Sequence, residues 1–221
     1  MDNTKLKEII KEEIREIKTT HRATVLSKIA NKYYKVAPKS DEKLLEICED
    51  LIASNNIDLF SIATLWIKKR KTVINIKYFP IIEKWLYKYI NNWGMCDQFC
   101  YRVLNPLVYK YPELFKNVLS WTESDKTYVR RAALVSLIRT GKGIRVKYDI
   151  KKVFIVVDKL KDDDKLHIQK GVGWLLKYTY QANPEKVINY LKENVDNLSR
   201  TAFRYALEKV PKETRQAMMK L

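Results

Sequence analysis

The placement of the prolines constrains this fold more than any other feature of the sequence. Pro38, Pro80, Pro112, Pro184 and Pro211 each fall where one stretch of helical periodicity ends or the next begins. Proline lacks an N–H and clashes in a helix interior, but it suits a first turn. Between these stops, apolar residues recur at helical spacing, while the strict alternation of half-buried strands is scarce. The periodicity predicts helices near 4–19, 22–36, 41–54, 57–69, 77–90, 92–109, 111–120, 125–140, 149–159, 164–181, 184–192, 196–209 and 211–220. Pro106 is the exception, lying inside the 92–109 segment, where it predicts a kink or interruption. Ser40-Asp41 and Ser124-Asp125 are expected N-caps. Thr140-Gly141-Lys142-Gly143 reads as a helix stop followed by a loop.

Short connections between roughly a dozen helices, paired about every 35–40 residues, describe a helical repeat array. The expectation is one all-α domain over 1–221, a curved α-solenoid of antiparallel helix pairs with degenerate HEAT-like repeats. A globular helical bundle is the other reading of the same pattern. In a solenoid the inner surface is the usual binding face, and the core is buried without a partner, so a monomer is expected.

Charge narrows the partner. Forty-three Lys and Arg against 26 Asp and Glu leave a net charge of +17, which favours a polyanion: nucleic acid first, an anionic membrane second. No uninterrupted apolar run approaches the roughly 18 residues of a membrane span. The N-terminus leads into charged helix, so no signal peptide and a cytoplasmic location are expected. Only five glycines occur, and none forms G-x-x-x-x-G-K-[ST] or G-x-G-x-x-G, so no nucleotide site is expected. Cys48, Cys96 and Cys100 lie far in sequence from His21 and His167, and no four-ligand metal set is apparent. No metal or cofactor is expected.

Three stretches stand out. Read as a helix from near Asn92, the middle of the chain places Trp93 and Asp97 four residues apart on one face. That face continues to Leu104 and Val108, putting a carboxylate in line with apolar residues. A lone acid there is either a structural residue with a partner or part of a site, because a buried unpaired charge is costly. Lys68-Lys69-Arg70-Lys71 closes a helix, where cations suit the dipole. By contrast Arg130, Arg131, Arg139, Lys142, Arg145, Lys147, Lys151 and Lys152, with Tyr128 and Tyr148 interleaved, read as a phosphate-tracking surface. In Leu166–Thr179 the core stripe is 168, 172, 175, 176 and 179, and Trp174 lies off it between Lys170 and Tyr178. Gly171 and Gly173 each cost about 1 kcal/mol there relative to Ala, which points to close approach by a neighbouring helix or a ligand.

Taken together, Trp93-x-x-x-Asp97, Val129-Arg130-Arg131-Ala132-Ala133 and Ile168-Gln169-Lys170-Gly171-Val172-Gly173-Trp174 resemble the AlkD family of DNA alkylation-repair glycosylases. The last is the most specific, matching a Q-K-x-x-G-W run of the family. Asn183-Pro184-Glu185 through Leu198-Ser199-Arg200 also follow the family's ending. The resemblance covers 78–210 well and 1–75 loosely. It implies a HEAT-like solenoid that hydrolyses the N-glycosidic bond of cationic N3- and N7-alkylated purines in double-stranded DNA. By this resemblance Asp97 is the catalytic carboxylate, Trp93 and Trp174 line the site, and Arg131 is the neighbouring arginine. Arg130, Arg139, Lys170 and Lys177 fall where the family places basic groups near the DNA backbone. Gly94 stands where better-known members often carry an acid, and Cys96 where they tend to carry an aliphatic residue, as in a divergent subgroup. Some relatives bind damaged or branched DNA without excising bases, and that non-catalytic role is the alternative.

The residue types suit the chemistry. An alkylated purine is already cationic and leaves without a strong general acid, so one carboxylate suffices where sugar hydrolases use two. Most glycosylases flip the base into a pocket. The family resembled here leaves it stacked and reads charge and backbone.

Overall fold

The structure, a computed structural model, describes residues 3–221. Among them there is no strand, and the chain is an all-helical repeat fold. Helices Arg22–Tyr34, Asp41–Ala53, Ile57–Lys69 and Pro184–Glu193 end within two residues of the expected limits. Ser40 caps the second of these, its side chain accepting the Lys43 N–H. Gly141 and Gly143 both take positive φ in the loop expected there. The 3–15 helix stops at Arg15, short of the expected limit. The helix expected from 125 spans only Thr127–Val135. Ser124 instead accepts the Lys126 N–H, two residues upstream of the cap position that Lys126 occupies.

The interruption expected at Pro106 lies just upstream of it. Helix Trp93–Phe99 passes into a π turn, Cys100–Leu104, before resuming as Asn105–Lys110. The Asn105 N–H bonds to the Cys100 carbonyl, five residues back. Widening the helix by one residue accommodates the proline ring, which in a regular helix would strike the carbonyl four residues earlier. It also corrects one expectation. Leu104 and Val108 are fully buried, whereas Asp97 is half-buried. The wide turn breaks the face that was to join them, so Asp97 lies at the edge of the core and not on a buried stripe.

The chain divides into two compact units, Met1–Leu107 and Val108–Leu221. The first is built around Ile57–Lys69, whose residues from Asp58 to Thr64 are all buried, with Trp66 and Ile67 beyond. Such all-round burial suits a central helix. The repeat is visible in its cross-helix bonds. Arg22 to Asp58, Trp66 to Ala30, Arg70 to Tyr34 and Tyr78 to Glu42 all join residues 36 apart. Arg70 also donates to the Pro38 and Lys39 carbonyls and to Asp41, so the arginine of the 68–71 basic run is a structural clamp. Cys48, Cys96 and Cys100 are buried thiols outside any disulfide and pack as small apolar residues.

In the second unit the same spacing recurs, with Lys159 bonded to Glu123 and Arg131 to His167, each 36 residues apart. Leu166–Tyr180 is its central helix, packed against Thr127–Val135 on one side and Arg200–Ala206 on another. The two glycines are explained by these neighbours. A Cβ on Gly171 would lie 3.0 Å from Leu134 Cδ1. One on Gly173 would lie 2.5 Å from Tyr205 Cβ and closer still to the Ala202 carbonyl oxygen.

Overpacking of this kind costs about 1–3 kcal/mol. Gly173→Ala is therefore expected to lower the melting temperature by roughly 2–12 °C, at about 2–4 °C per kcal/mol for a chain of this size. Gly94→Ala, whose new Cβ meets nothing nearer than Asn92 Oδ1 at 3.4 Å, is expected to hold or raise it. Thermal unfolding followed by circular dichroism checks both.

Candidate functional site

In the first unit the loop before Trp93 is fixed by side-chain amides. Asn91 Nδ2 donates to Asn55 Oδ1 at 3.0 Å, and Asn92 Nδ2 donates to Asn91 Oδ1 at 3.0 Å. Asn92 then caps the helix, accepting the Met95 N–H at 2.9 Å. Trp93 follows immediately, and 57% of its surface is exposed. Burial of so large an apolar side chain is strongly favoured, so a tryptophan held outward by a capped turn is a candidate contact residue. Among the described residues no cation sits over its ring. Asp97 follows one turn later and is half-buried, while Met95, Cys96 and Phe99 point into the core.

The same helix carries a residue that the sequence reading passed over. Arg102, on the π turn, directs Nη1 to Gln98 Oε1 at 2.7 Å and Thr64 Oγ1 at 2.9 Å, with Ser61 nearby. Ser61 also donates to Gln98. Burial pulls the Arg102 guanidinium below its usual pKa. This network ties the π turn to the central Ile57–Lys69 helix and so holds the Asp97 segment in place. Gln98 and Arg102 stand four apart, a visible helical pair. Ser61 and Thr64 lie 38 to 41 residues back from Arg102, and nothing local signals them.

In the second unit Arg131 is buried and donates through Nη1 to the His167 carbonyl. Its guanidinium lies 5.8 Å from the centre of the Trp174 ring. Trp174 is half-buried, and Lys177 Nζ approaches the same ring to 6.0 Å while pairing with Glu208 at 2.7 Å. Arg131, Trp174 and Lys177 therefore form one cluster of cations around an indole. Beside them Tyr178 carries Arg145 over its ring at 3.9 Å and Lys209 at 5.5 Å. Both partners are far from Tyr178 in sequence, so no local spacing joins them to it.

The remaining basic residues separate. Arg130 pairs with Asp163 at 2.6 Å and donates to the Ser124 and Asp125 carbonyls, so the fold itself accounts for it. Arg139 is exposed, sits over Tyr109 at 5.4 Å, and closes its loop by a backbone bond to Arg145. Lys170 borders a cleft against the C-terminal helices. Among the described residues no cluster of three or more His, Cys, Asp or Glu could hold a metal, and no helix is long and apolar enough to cross a membrane.

No curated protein matches the chain. The sequence model of a family described as DNA alkylation repair enzyme matches residues 4–210. That span takes in nearly the whole chain, including Trp93, Asp97, Arg131 and Trp174, and reaches back through the N-terminal helices where the sequence resemblance was loose. The chain belongs to the DNA alkylation repair enzyme family.

Proposed function

We propose that the chain is a DNA glycosylase that hydrolyses the N-glycosidic bond of cationic N3- and N7-alkylated purines in duplex DNA. The observation that carries this reading is a half-buried carboxylate, Asp97, one helical turn from an outward-held Trp93, in a chain of an alkylation-repair family. DNA as partner and a role in alkylation repair follow from the family.

The chemistry balances with one carboxylate. The bond from C1′ to the purine nitrogen breaks, and its electron pair neutralises the purinium. The sugar becomes oxocarbenium-like, and the negative charge of Asp97 stabilises it. A water oxygen attacks C1′, with its proton passing to Asp97 and then to solvent. The products are a neutral alkylpurine and an abasic sugar. Fixed negative charge at the edge of a core, where solvent screens it less, acts more strongly than the same charge in open water.

The two tryptophans take different roles. Arg131 and Lys177 already occupy the surroundings of the Trp174 ring, so that indole packs against sugar and backbone. Trp93, with no such cation, is the ring open to a positively charged base. Arg139, Lys170 and Lys177 supply phosphate contacts. Arg130, engaged by Asp163, contributes by holding the turn that precedes the Arg131 helix.

Two outcomes follow. Asp97→Asn is expected to slow release of 7-methylguanine from methylated duplex by about 10²–10³-fold, with duplex affinity changed less than twofold. Base release is measured chromatographically and affinity by fluorescence anisotropy. Wild-type protein that binds duplex yet releases no base sinks the glycosylase reading and leaves the non-catalytic binder of damaged or branched DNA. Trp93→Ala is expected to lower kcat/KM by roughly 2- to 30-fold, the equivalent of losing about 0.5–2 kcal/mol of cation–π attraction. An unchanged kcat/KM would remove Trp93 from the site.

A further inference from the structure

The C-terminal end of the second unit carries positive charge that its own fold does not neutralise. A cleft of about 350 Å³ opens between the helices Leu166–Tyr180, Arg200–Ala206 and Lys212–Met218, lined by Lys170, Arg204 and Arg215 together with Thr201, Tyr205 and Glu208. A second cleft, of about 590 Å³, is lined by Lys212, Arg215, Gln216, Met219 and Lys220. Arg215 borders both.

Among the described residues Lys170, Arg204, Lys212, Arg215 and Lys220 form no ion pair, whereas Glu208, the acid of the first cleft, is taken by Lys177. Lys177 in turn borders the Trp174 and Tyr205 rings. The row of unneutralised cations therefore begins at the Trp174 cluster and runs out along the last helix. Arg200, donating to the Met219 carbonyl at 3.2 Å, helps to hold that helix in place. Arg215 and Lys220 lie beyond residue 210, outside the part of the chain that matches the family.

We propose that this row is a phosphate track that seats the backbone of duplex DNA beside the Trp174 cluster. The inference rests on the reading of the chain as a DNA-binding repair enzyme. Guanidinium groups suit the bidentate geometry of a phosphodiester, and Thr201 and Tyr205 add hydroxyl donors at the cleft wall. Neighbouring positive charges in a row repel one another, and a run of phosphates relieves that repulsion while releasing condensed counterions.

The test is the salt dependence of binding to an undamaged duplex, for wild type and for Arg204→Gln/Arg215→Gln/Lys220→Gln. A control, Lys116→Gln/Lys186→Gln/Lys192→Gln, removes the same charge from exposed positions elsewhere in the unit. Each lost phosphate contact flattens the plot of log K against log salt by about 0.9. The track variant is expected to flatten it by roughly 2 to 3 and to weaken binding at least tenfold near 0.1 M salt, with the melting temperature unchanged. The control is expected to change the slope by less than about 1. Equal slopes for the track and control variants would overturn the track, since only net charge would then matter. Inorganic phosphate that binds in an Arg215-dependent way while the duplex slope stays fixed would overturn the assignment to DNA. Loss of Asp97-dependent base release with the slope difference intact would count against the glycosylase reading alone.

Discussion

The hydrogen bond from the Asn105 N–H back to the Cys100 carbonyl sets the geometry of the segment that carries Trp93 and Asp97. It replaces a regular helical bond with one a residue longer and lets Pro106 sit in an otherwise continuous helical segment. Phe99, Cys100, Val103 and Leu104 stay in the core, while Asp97 comes to its edge. A regular helix through this segment would keep Asp97 in register with Leu104 and Val108, where an ionised carboxylate is costly. Arg102, on the same π turn, gives this arrangement its anchor to the central helix, through Gln98, Ser61 and Thr64.

The second unit solves a different problem. Its central helix must pass close to two neighbours and still present Trp174 at its surface. Gly171 and Gly173 make the close passage, one against Leu134 and the other against the Ala202 carbonyl. Arg131, reaching from the neighbouring helix to the His167 carbonyl, then lies beside the indole. The helical cost of two glycines is thus offset by packing. These glycines serve the fold, and ligand access need not be invoked for them.

Much of this was legible in the sequence for identifiable reasons. Proline positions and apolar spacing are local signals, so the helices and their order, the Ser40 cap and the Gly141 to Gly143 loop could be read directly. The repeat could be read only as a spacing of about 35–40 residues; the 36-residue register became visible in bonds such as Arg22 to Asp58 and Tyr78 to Glu42. Local signals failed where a partner is distant. Ser124 looked like a cap but turned to Lys126. Arg130 looked like a phosphate ligand, yet Asp163, 33 residues on, engages it. The bonds of Arg102 to Ser61 and Thr64, and the neighbours of Arg145 and Tyr205, come only through tertiary packing, and no spacing rule finds them. The continuous face from Asp97 to Val108 was misjudged because the helical period itself changes between the two residues. The roles of Asp97, Trp93, Arg131 and Trp174 came from motif resemblance, and family membership supports the setting without assigning the residues.

The central claim is that the chain expels a base because the base is already positively charged. It is tested most directly by single-turnover reactions of the wild-type protein on two duplexes of identical sequence. One carries a cationic 7-methylguanine and the other a neutral O6-methylguanine at the same position. The account predicts that 7-methylguanine appears as free base, leaving an abasic site, while the neutral lesion stays in the strand. Release of both at similar rates, or of neither, would contradict it.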